Sequence, residues 1–339
     1  MTPRSKQLRS TAFALLCLIA VCVAGCASTP VPQRASQAYT FGLFGDLAYE
    51  PEREKQLDAV LVDINRTPMA FVVHVGDLGS PRAGSCTDSL WARRFQQFSA
   101  SVNPLIYTPG DNEWADCHDE QGVKGGVPAE RLAKLRALFF QGDETMGQRK
   151  LALTRQSRDA KFAKYRENAR WDLGAVTFIT LQVVGSNNNR ARTAEADAEY
   201  AERLEADLAW MRAGFAHAKA NNSRAIMIIQ QGNMFPALPP FPGDPLLEPS
   251  GFTELRNAVA KESLAFVKPV ALVNGDSHFF RVDKPFMIRR SRDPVVPNFT
   301  RIETFGDPNH HWVQVTVDPD DPNVFTVRPR MVAANINPL

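Results

Sequence analysis

The chain has 339 residues, of which 44% are hydrophobic and 22% are charged, and its formal net charge is +2. No stretch is typical of a repeat, a coiled coil or a low-complexity segment, and the length suffices for one large or two small domains. Since no basic stretch is interleaved with aromatic residues, the sequence does not support a nucleic-acid-binding surface.

The N-terminal segment is typical of an exported protein. A basic start precedes an apolar run at 11–23, which is too short to span a bilayer comfortably and is built like a signal peptide. The run ends at Val23-Ala24-Gly25-Cys26, which resembles the bacterial lipobox, where the cysteine is lipidated and becomes the new N-terminus. An ordinary secretory signal with an incidental cysteine is the alternative.

The lipobox resemblance implies three consecutive segments. Residues 1–25 are the expected signal peptide, and 26–38 are the expected polar tether, with the lipid on Cys26. Residues 39–334 are then a single exported domain. Because Ala27 follows the cysteine and no Asp signals retention at the inner membrane, we expect a lipoprotein of the bacterial envelope, anchored in the outer membrane and facing the periplasm.

Cysteine usage agrees with export. After loss of the signal and lipidation of Cys26, the mature chain keeps Cys86 and Cys117. In an oxidising compartment we expect these two to form a disulfide, which would contribute about 3–4 kcal/mol in the chain-entropy model. Two unpaired buried cysteines are the alternative.

Apolar runs alternate with helical patterns through the rest of the chain. The first half predicts strands at 39–44, 71–75 and 105–107, and helices around 57–64, 91–98 and 132–139. The second half predicts strands at 176–181, 226–229, 270–273, 312–317 and 324–327, and helices around 204–215 and 252–259. This alternation favours an α/β sandwich around mixed sheets.

Four of the predicted strands run directly into a Gly-Asp pair. The aspartates are Asp46, Asp77, Asp111 and Asp276, and His278 follows the last of them. A single such pair is usually a tight turn with an Asx hydrogen bond, but ligands of open α/β sheets bind beyond the carboxyl ends of the strands. Because no Lys or Arg lies in these segments to balance the crowded carboxylates, the pattern favours a bound multivalent cation.

The order of these motifs resembles that of the calcineurin-like metallophosphoesterases, whose pattern is D-x-H, GD, GNH with an acid, an isolated His, and GHxH. The corresponding stretches here are Asp46-Leu47-Ala48, Gly76-Asp77, Gly110-Asp111-Asn112-Glu113, Gln230-Gln231-Gly232-Asn233 and Gly275-Asp276-Ser277-His278. The resemblance covers nearly the whole exported body. It implies a four-layer αββα sandwich of two mixed β-sheets and the hydrolysis of phosphate esters.

The resemblance also implies a divalent or dinuclear metal site. Asp77 would bridge two ions, and Asp46 and His278 would help to hold one of them. Asp111 takes the place of the family's Asn ligand, and Asp276 takes the place of a His ligand. Both replacements keep a donor atom but make the site harder, which favours Mn²⁺, Mg²⁺ or Fe over the Zn²⁺ of a His-rich site.

Three departures from the family pattern bear on catalysis. Ala48 stands where a ligating His is expected, and Gln231 or Asn233 is the weaker substitute for the isolated His. Asn112 replaces the His usually assigned to the leaving group. An amide can hydrogen-bond a phosphoryl oxygen but cannot donate a proton as an acid, a loss that typically costs about 10²–10⁴ in rate.

Several other polar residues have two interpretations. Asn187 and Asn188 could line a substrate pocket or form a plain Asn-rich turn. Glu113 is expected to support the site from behind its ligands, and His74, within an apolar strand, is expected to be a core histidine.

Three functions remain open from the sequence. The first is a lipid-anchored, metal-dependent phosphoesterase acting on a phosphate-ester substrate. The second is a catalytically weak or inactive relative that serves as a binding protein. The third is a hydrolase of a different ester. Because two of the replaced ligands are acids, whereas drift usually scatters apolar residues through a site, we favour the enzyme.

Overall fold

The computed structural model describes residues 37–80, 84–118, 126–235, 250–287 and 295–336. The predicted signal peptide, Cys26 and most of the predicted tether lie outside the described residues. Within the described ranges, no helix is both long enough and apolar enough to cross a membrane.

The described residues form twelve strands and six α-helices. The strands are β1 (Tyr39–Phe44), β2 (Val72–His74), β3 (Leu105–Tyr107), β4 (Thr154–Arg155), β5 (Ala169–Leu173), β6 (Val176–Thr180), β7 (Ala225–Ile229), β8 (Val270–Asn274), β9 (Arg281–Asp283), β10 (Phe299–Glu303), β11 (Trp312–Val317) and β12 (Phe325–Arg330). The helices are α1 (Glu54–Asn65), α2 (Asp88–Ser99), α3 (Pro128–Phe139), the single turn α4 (Gly185–Asn188), α5 (Ala194–Ala220) and α6 (Thr253–Phe266).

The strands assemble into two mixed sheets. The first has five strands in the order β12-β11-β1-β2-β3, and the second has seven in the order β4-β5-β6-β7-β8-β10-β9. Strands β1, β2 and β3 are parallel, as are β6, β7, β8 and β10. The antiparallel pairs involve β11 and β12 in the first sheet and β4, β5 and β9 in the second.

Three apolar clusters account for the layers. Helices α1, α2 and α3 pack their apolar faces on the outer side of the five-stranded sheet, and α5 and α6 pack on the outer side of the seven-stranded sheet. The third cluster lies between the sheets and includes Phe41, Phe71, Phe178, Met227 and Val273. The fold is therefore the predicted α/β sandwich with four layers, αββα.

The continuous apolar strands explain why both sheets are covered on both faces. Strands β6, β7 and β8 are buried at every position, as expected for parallel strands between helices and a second sheet. Because β1, β2 and β3 are parallel, their carboxyl ends meet at one edge. The segment after β8 joins them there, since the Asp276 backbone N–H donates to Asp46 Oδ1 at 2.9 Å.

Candidate metal centre

The residues after these strands adopt an unusual backbone conformation. Asp46, Asp77, Asp276 and His278 have φ angles of 54°, 59°, 74° and 58°, in the left-handed region that non-glycine residues seldom occupy. Such conformations persist only where the surrounding structure enforces them, and they concentrate at functional sites. Here they turn four polar side chains towards the same edge of the fold.

Asp46 is fully buried and has a free oxygen. Its Oδ1 accepts the Asp276 backbone N–H, whereas its Oδ2 has no hydrogen-bond partner among the described residues. The Oδ2 atom lies against Gly275, where an added Cβ would come within 2.1 Å of it. The Gly before Asp276 is therefore needed for the close approach of the two strand ends.

Asp77 is buried between two neighbouring segments. Its Oδ2 accepts the Tyr49 hydroxyl at 2.5 Å, and its Oδ1 accepts the Asn112 backbone N–H at 3.3 Å. An added Cβ at Gly110 would lie 2.0 Å from Oδ1, so glycine at this position lets the loop after β3 close over the carboxylate.

His278 presents a nitrogen lone pair to the same space. Its Nδ1 lies 2.7 Å from the backbone oxygen of Asp307, which can only accept, so Nδ1 carries the hydrogen. Its Nε2 then carries the lone pair, 3.0 Å from the Tyr49 hydroxyl and 3.7 Å from Asp46 Oδ1. Burial lowers the pKa of His278, which favours the neutral ring. Metal-binding histidines are commonly oriented by such a bond to a backbone carbonyl.

These side chains form one compact donor group with a second pair beside it. Asp46, Asp77 and His278 each offer a donor atom, and these atoms all lie within 4.8 Å of one another. Asp111 and Asp276 approach each other at Gly185, where an added Cβ would lie 2.7 Å from Asp111 Oδ2 and 2.4 Å from Asp276 Oδ1. All five predicted ligands are thus at the same end of the sandwich.

The carboxylates of the site hold their protons unusually strongly. Burial raises the pKa of Asp46 and of Asp77 well above the ordinary value, and neighbouring carboxylates raise both further. Burial also raises the pKa of Asp111 to about 8 and that of Asp276 to about 6. At neutral pH these carboxylates must therefore either retain protons or bind a cation.

Nearby arginines do not supply the missing charge. Their partners are other carboxylates around the site, in the pairs Arg53–Asp307, Arg192–Asp116 and Arg281–Glu303. Within the described part of the chain, no lysine or arginine forms an ion pair with Asp46, Asp77, Asp111 or Asp276.

The arrangement fits a bound metal ion. It offers the unpartnered buried Asp46 Oδ2, the imidazole lone pair of His278 and several carboxylates without a counter-charge. A set of oxygens with one imidazole nitrogen suits hard or borderline divalent ions.

Asn112 lies beside Asp77 with its side chain engaged. Its amide donates to the backbone oxygen of Gly79 at 3.0 Å, and its own backbone oxygen accepts the Ser85 hydroxyl at 2.6 Å.

The predicted disulfide between Cys86 and Cys117 is confirmed, with a separation of 31 residues. It closes the segment that carries Asp111 and Asn112 and so restrains the loop after β3.

Glu113 supports this loop from behind. One carboxylate oxygen accepts the Leu78 backbone N–H at 2.9 Å and the Tyr107 hydroxyl at 2.8 Å. Burial raises the pKa of Glu113 to about 7. Its place between the loops after β2 and β3 agrees with the supporting position expected for it.

Gln231 and Asn233 also lie at the site. The Gln231 Oε1 accepts the Gly185 backbone N–H at 2.7 Å, and the Asn233 backbone N–H donates to Asp276 Oδ2 at 2.9 Å. The Asn233 amide donates to the Ser277 hydroxyl at 2.7 Å. Gln231 thus fixes the turn at Gly185 beside Asp111 and Asp276, and Asn233 holds the segment that carries Asp276.

Asn187 and Asn188 belong to the left-handed turn α4. Asn188 is fully buried, and its Oδ1 accepts Arg203 Nη1 at 2.6 Å. The Asn187 Oδ1 accepts the Gly251 backbone N–H at 2.7 Å. These contacts stabilise the turn.

Tyr49 is the residue of the site that the motifs did not indicate. Its hydroxyl lies between Asp77 and His278, and its ring packs edge-on against the His278 ring at 4.8 Å. The signal in the sequence is an aromatic residue three positions after Asp46. By contrast, His74 is the predicted core histidine, packed against Phe44 and Phe98.

Comparisons with known proteins leave the family open. No protein-family model matches the chain, and no curated protein matches it. Among solved structures the chain is similar to GAP50, described as the anchor in the inner membrane complex of Plasmodium, with a TM-score of 0.47 and 11% sequence identity. That similarity covers 87% of this chain and 89% of the other chain. It is too low to transfer any property of that protein to this one.

Proposed function

We propose that this chain is a metal-dependent hydrolase of phosphate esters, of the calcineurin-like metallophosphoesterase kind. The observation that carries the proposal is the buried donor group at the strand ends, which has no internal counter-charge. Asp46, Asp77 and His278 would hold one ion, and Asp111 and Asp276 would contribute to a second position. The order of the motifs supports the same reaction class.

Asp77 is the residue best placed to serve both positions. Its pKa is raised by burial and then by the charges of Asp111, Glu113 and Asp46, so it lies close to ligands predicted for each of the two positions. Divalent ions in such a site neutralise phosphoryl oxygens and lower the pKa of a bound water. The aspartates would fix the ions, and the Asn112 segment would lie against the substrate side of Asp77.

The residues around Asp77 limit the choice of substrate. Asn112 cannot donate a proton to a leaving alkoxide, and its amide is bonded to the Gly79 carbonyl. We therefore expect esters with good leaving groups, such as aryl phosphates, to be cleaved fastest. Equal rates for alkyl and aryl phosphate esters would contradict this expectation.

The engaged amide of Asn112 also favours a second candidate function, a catalytically weak phosphate-ester-binding protein on the same scaffold. In both cases the N-terminal motif supports attachment to the bacterial envelope through a lipid on Cys26, with the domain exported.

The deciding experiment is metal analysis of the purified protein together with a monoester and diester assay. We expect bound Mn, Fe, Mg or Zn in the wild type, and a loss of turnover of about 10²-fold or more in Asp77→Ala. Asp320→Ala, an exposed change beyond β11, is the matched control and should keep both. Bound metal without turnover would favour the binding protein, and absence of both metal and Asp77-dependent turnover would overturn the proposal.

A further inference from the structure

Tyr49 brings an oxygen to the place where the family pattern lacks a donor. Ala48 stands in the position of a ligating His, and the adjacent Tyr49 places its hydroxyl 2.5 Å from Asp77 Oδ2 and 3.0 Å from His278 Nε2. The phenol oxygen therefore lies between two predicted ligands that come from different sheets.

The Tyr49 hydroxyl has too few hydrogens for the two acceptors beside it. Because the His278 Nδ1–H is used by the Asp307 carbonyl, Nε2 must accept a hydrogen, and an ionised Asp77 Oδ2 must accept one as well. Tyr49 has one hydrogen to donate. The arrangement is complete only with an additional proton or with a cation in contact with these lone pairs.

The Asp46 carboxylate lies next to the Tyr49 hydroxyl and His278. Its Oδ1 lies 3.7 Å from His278 Nε2, and its buried Oδ2 has no partner among the described residues. Three carboxylate or phenol oxygens and one imidazole nitrogen thus converge from the ends of β1, β2 and β8.

We infer that Tyr49 is a metal ligand that replaces the histidine absent at Ala48. This inference rests on the proposed function, because it assumes that Asp46, Asp77 and His278 bind an ion. With Tyr49 the group offers three oxygens and one nitrogen, a set that favours hard ions. On ligation the phenol gives up its hydrogen to solvent, so its oxygen binds as phenolate.

The local packing allows a clean test. The Tyr49 ring lies edge-on to the His278 ring at an interplanar angle of 85°, and the Tyr49 backbone N–H donates to Asp307 Oδ2 at 3.3 Å. Tyr49→Phe keeps the ring and the backbone and removes one oxygen. Tyr39→Phe is the matched control, since it removes a hydroxyl bonded to the Leu173 carbonyl at the far end of β1.

The experiment titrates chelator-treated protein with Zn²⁺ and with Mn²⁺ by calorimetry and records the ultraviolet difference spectrum with Zn²⁺, which does not absorb there itself. The chain has five tyrosines, so the variant is needed to assign the signal. We expect a phenolate difference band in the wild type and in Tyr39→Phe. In Tyr49→Phe the band should be absent, and affinity should fall by about 100-fold, the upper end of what loss of an outer hydrogen bond costs, so the loss of the band is the result that identifies a direct ligand.

The outcomes separate the two proposals. Metal binding by the wild type with no phenolate band, or with the same band and affinity in Tyr49→Phe, would overturn the role of Tyr49 and leave the metal site intact. Absence of metal binding by the folded wild type would overturn the proposed function and this inference with it.

Discussion

At the carboxyl ends of β1, β2, β3 and β8, three buried aspartates and a partly buried fourth lie close together, whereas on α5 the partly buried Glu199 pairs with a buried arginine. The guanidinium of Arg203 is fully buried and donates to Glu199 at 2.7 Å, to Asn188 Oδ1 at 2.6 Å and to the Gln182 carbonyl at 2.7 Å. The two regions lie on the same scaffold but differ in their source of positive charge.

The pKa values of Glu199 and Asp111 follow this difference. Burial acts to raise the pKa of Glu199, but the charge and hydrogen bonds of Arg203 lower it below the ordinary value. In contrast, burial raises the pKa of Asp111 to about 8, and the neighbouring Asp116 and Asp276 add to the effect. The comparison indicates that Arg203 is a structural cation. The aspartates at the strand ends have no such partner among the described residues, and under the proposed function a metal ion would supply the positive charge.

Removal of the Arg203 guanidinium should have the largest effect on stability. Arg203→Met would leave Glu199 and Asn188 without their partner, and a buried pair that loses one member typically destabilises by about 3–5 kcal/mol. We expect a loss of this size in the free energy of unfolding, measured by urea denaturation at neutral pH.

Arg212→Met is the control for this variant. Arg212 lies on the same helix α5 but is exposed, so its loss should change the free energy of unfolding by less than about 0.5 kcal/mol. Similar effects of the two substitutions would show that Arg203 is not the compensating charge of this region.

Neutralising one carboxylate should change the free energy of unfolding in opposite directions in the two regions. In chelator, Asp111→Asn should raise the free energy of unfolding at pH 8 by at least about 1.4 kcal/mol, the equivalent of one pKa unit, because it removes a carboxyl group whose charged form burial disfavours. Glu199→Gln should lower it, because the amide replaces a carboxylate paired with Arg203. Urea denaturation of both variants beside the wild type measures the two signs, and a destabilised Asp111→Asn would contradict our account of the site.

Much of the fold could be predicted from apolar patterns. The strands expected at 39–44, 105–107 and 312–317 have those bounds, because each is a continuous or alternating apolar run ending in a turn. Strand β10 was not predicted, since Arg301 and Glu303 break its pattern. Their burial becomes understandable only in three dimensions, where Asp283 and Arg281 on the neighbouring strand β9 pair with them.

The site residues that could be predicted are those that a short motif within one segment marks. Each Gly-Asp pair directly follows a strand, so its place at the sheet edge follows from the topology of a parallel sheet. Tyr49 was missed because its partner His278 is 229 residues away, and no spacing within one segment indicates that contact. The engagement of Asn112 with Gly79 likewise depends on how two loops pack.

The effect of pH is the smallest when it is counted per carboxyl group. A carboxyl whose folded pKa is raised stabilises the fold fully below its unfolded value, and that stability is lost as pH rises through the folded value. Asp111, with a folded pKa of about 8, and Asp46 and Asp77, which are raised well above the ordinary value, should therefore destabilise metal-free protein between pH 7 and pH 8. Each retained proton contributes about 1 kcal/mol per pH unit.

Thermal unfolding at pH 7 and pH 8, in chelator and in Mn²⁺, measures this effect. Ordinary histidines are largely neutral above pH 7 in both states, so they contribute little to the slope. Burial raises the pKa of Asp207 to about 7, but that residue lies on α5 and contributes equally with and without metal. The midpoint should fall with pH in chelator and fall less in Mn²⁺, because the cation replaces the protons. Equal slopes in the two conditions would show that the strand-end aspartates do not bind the ion.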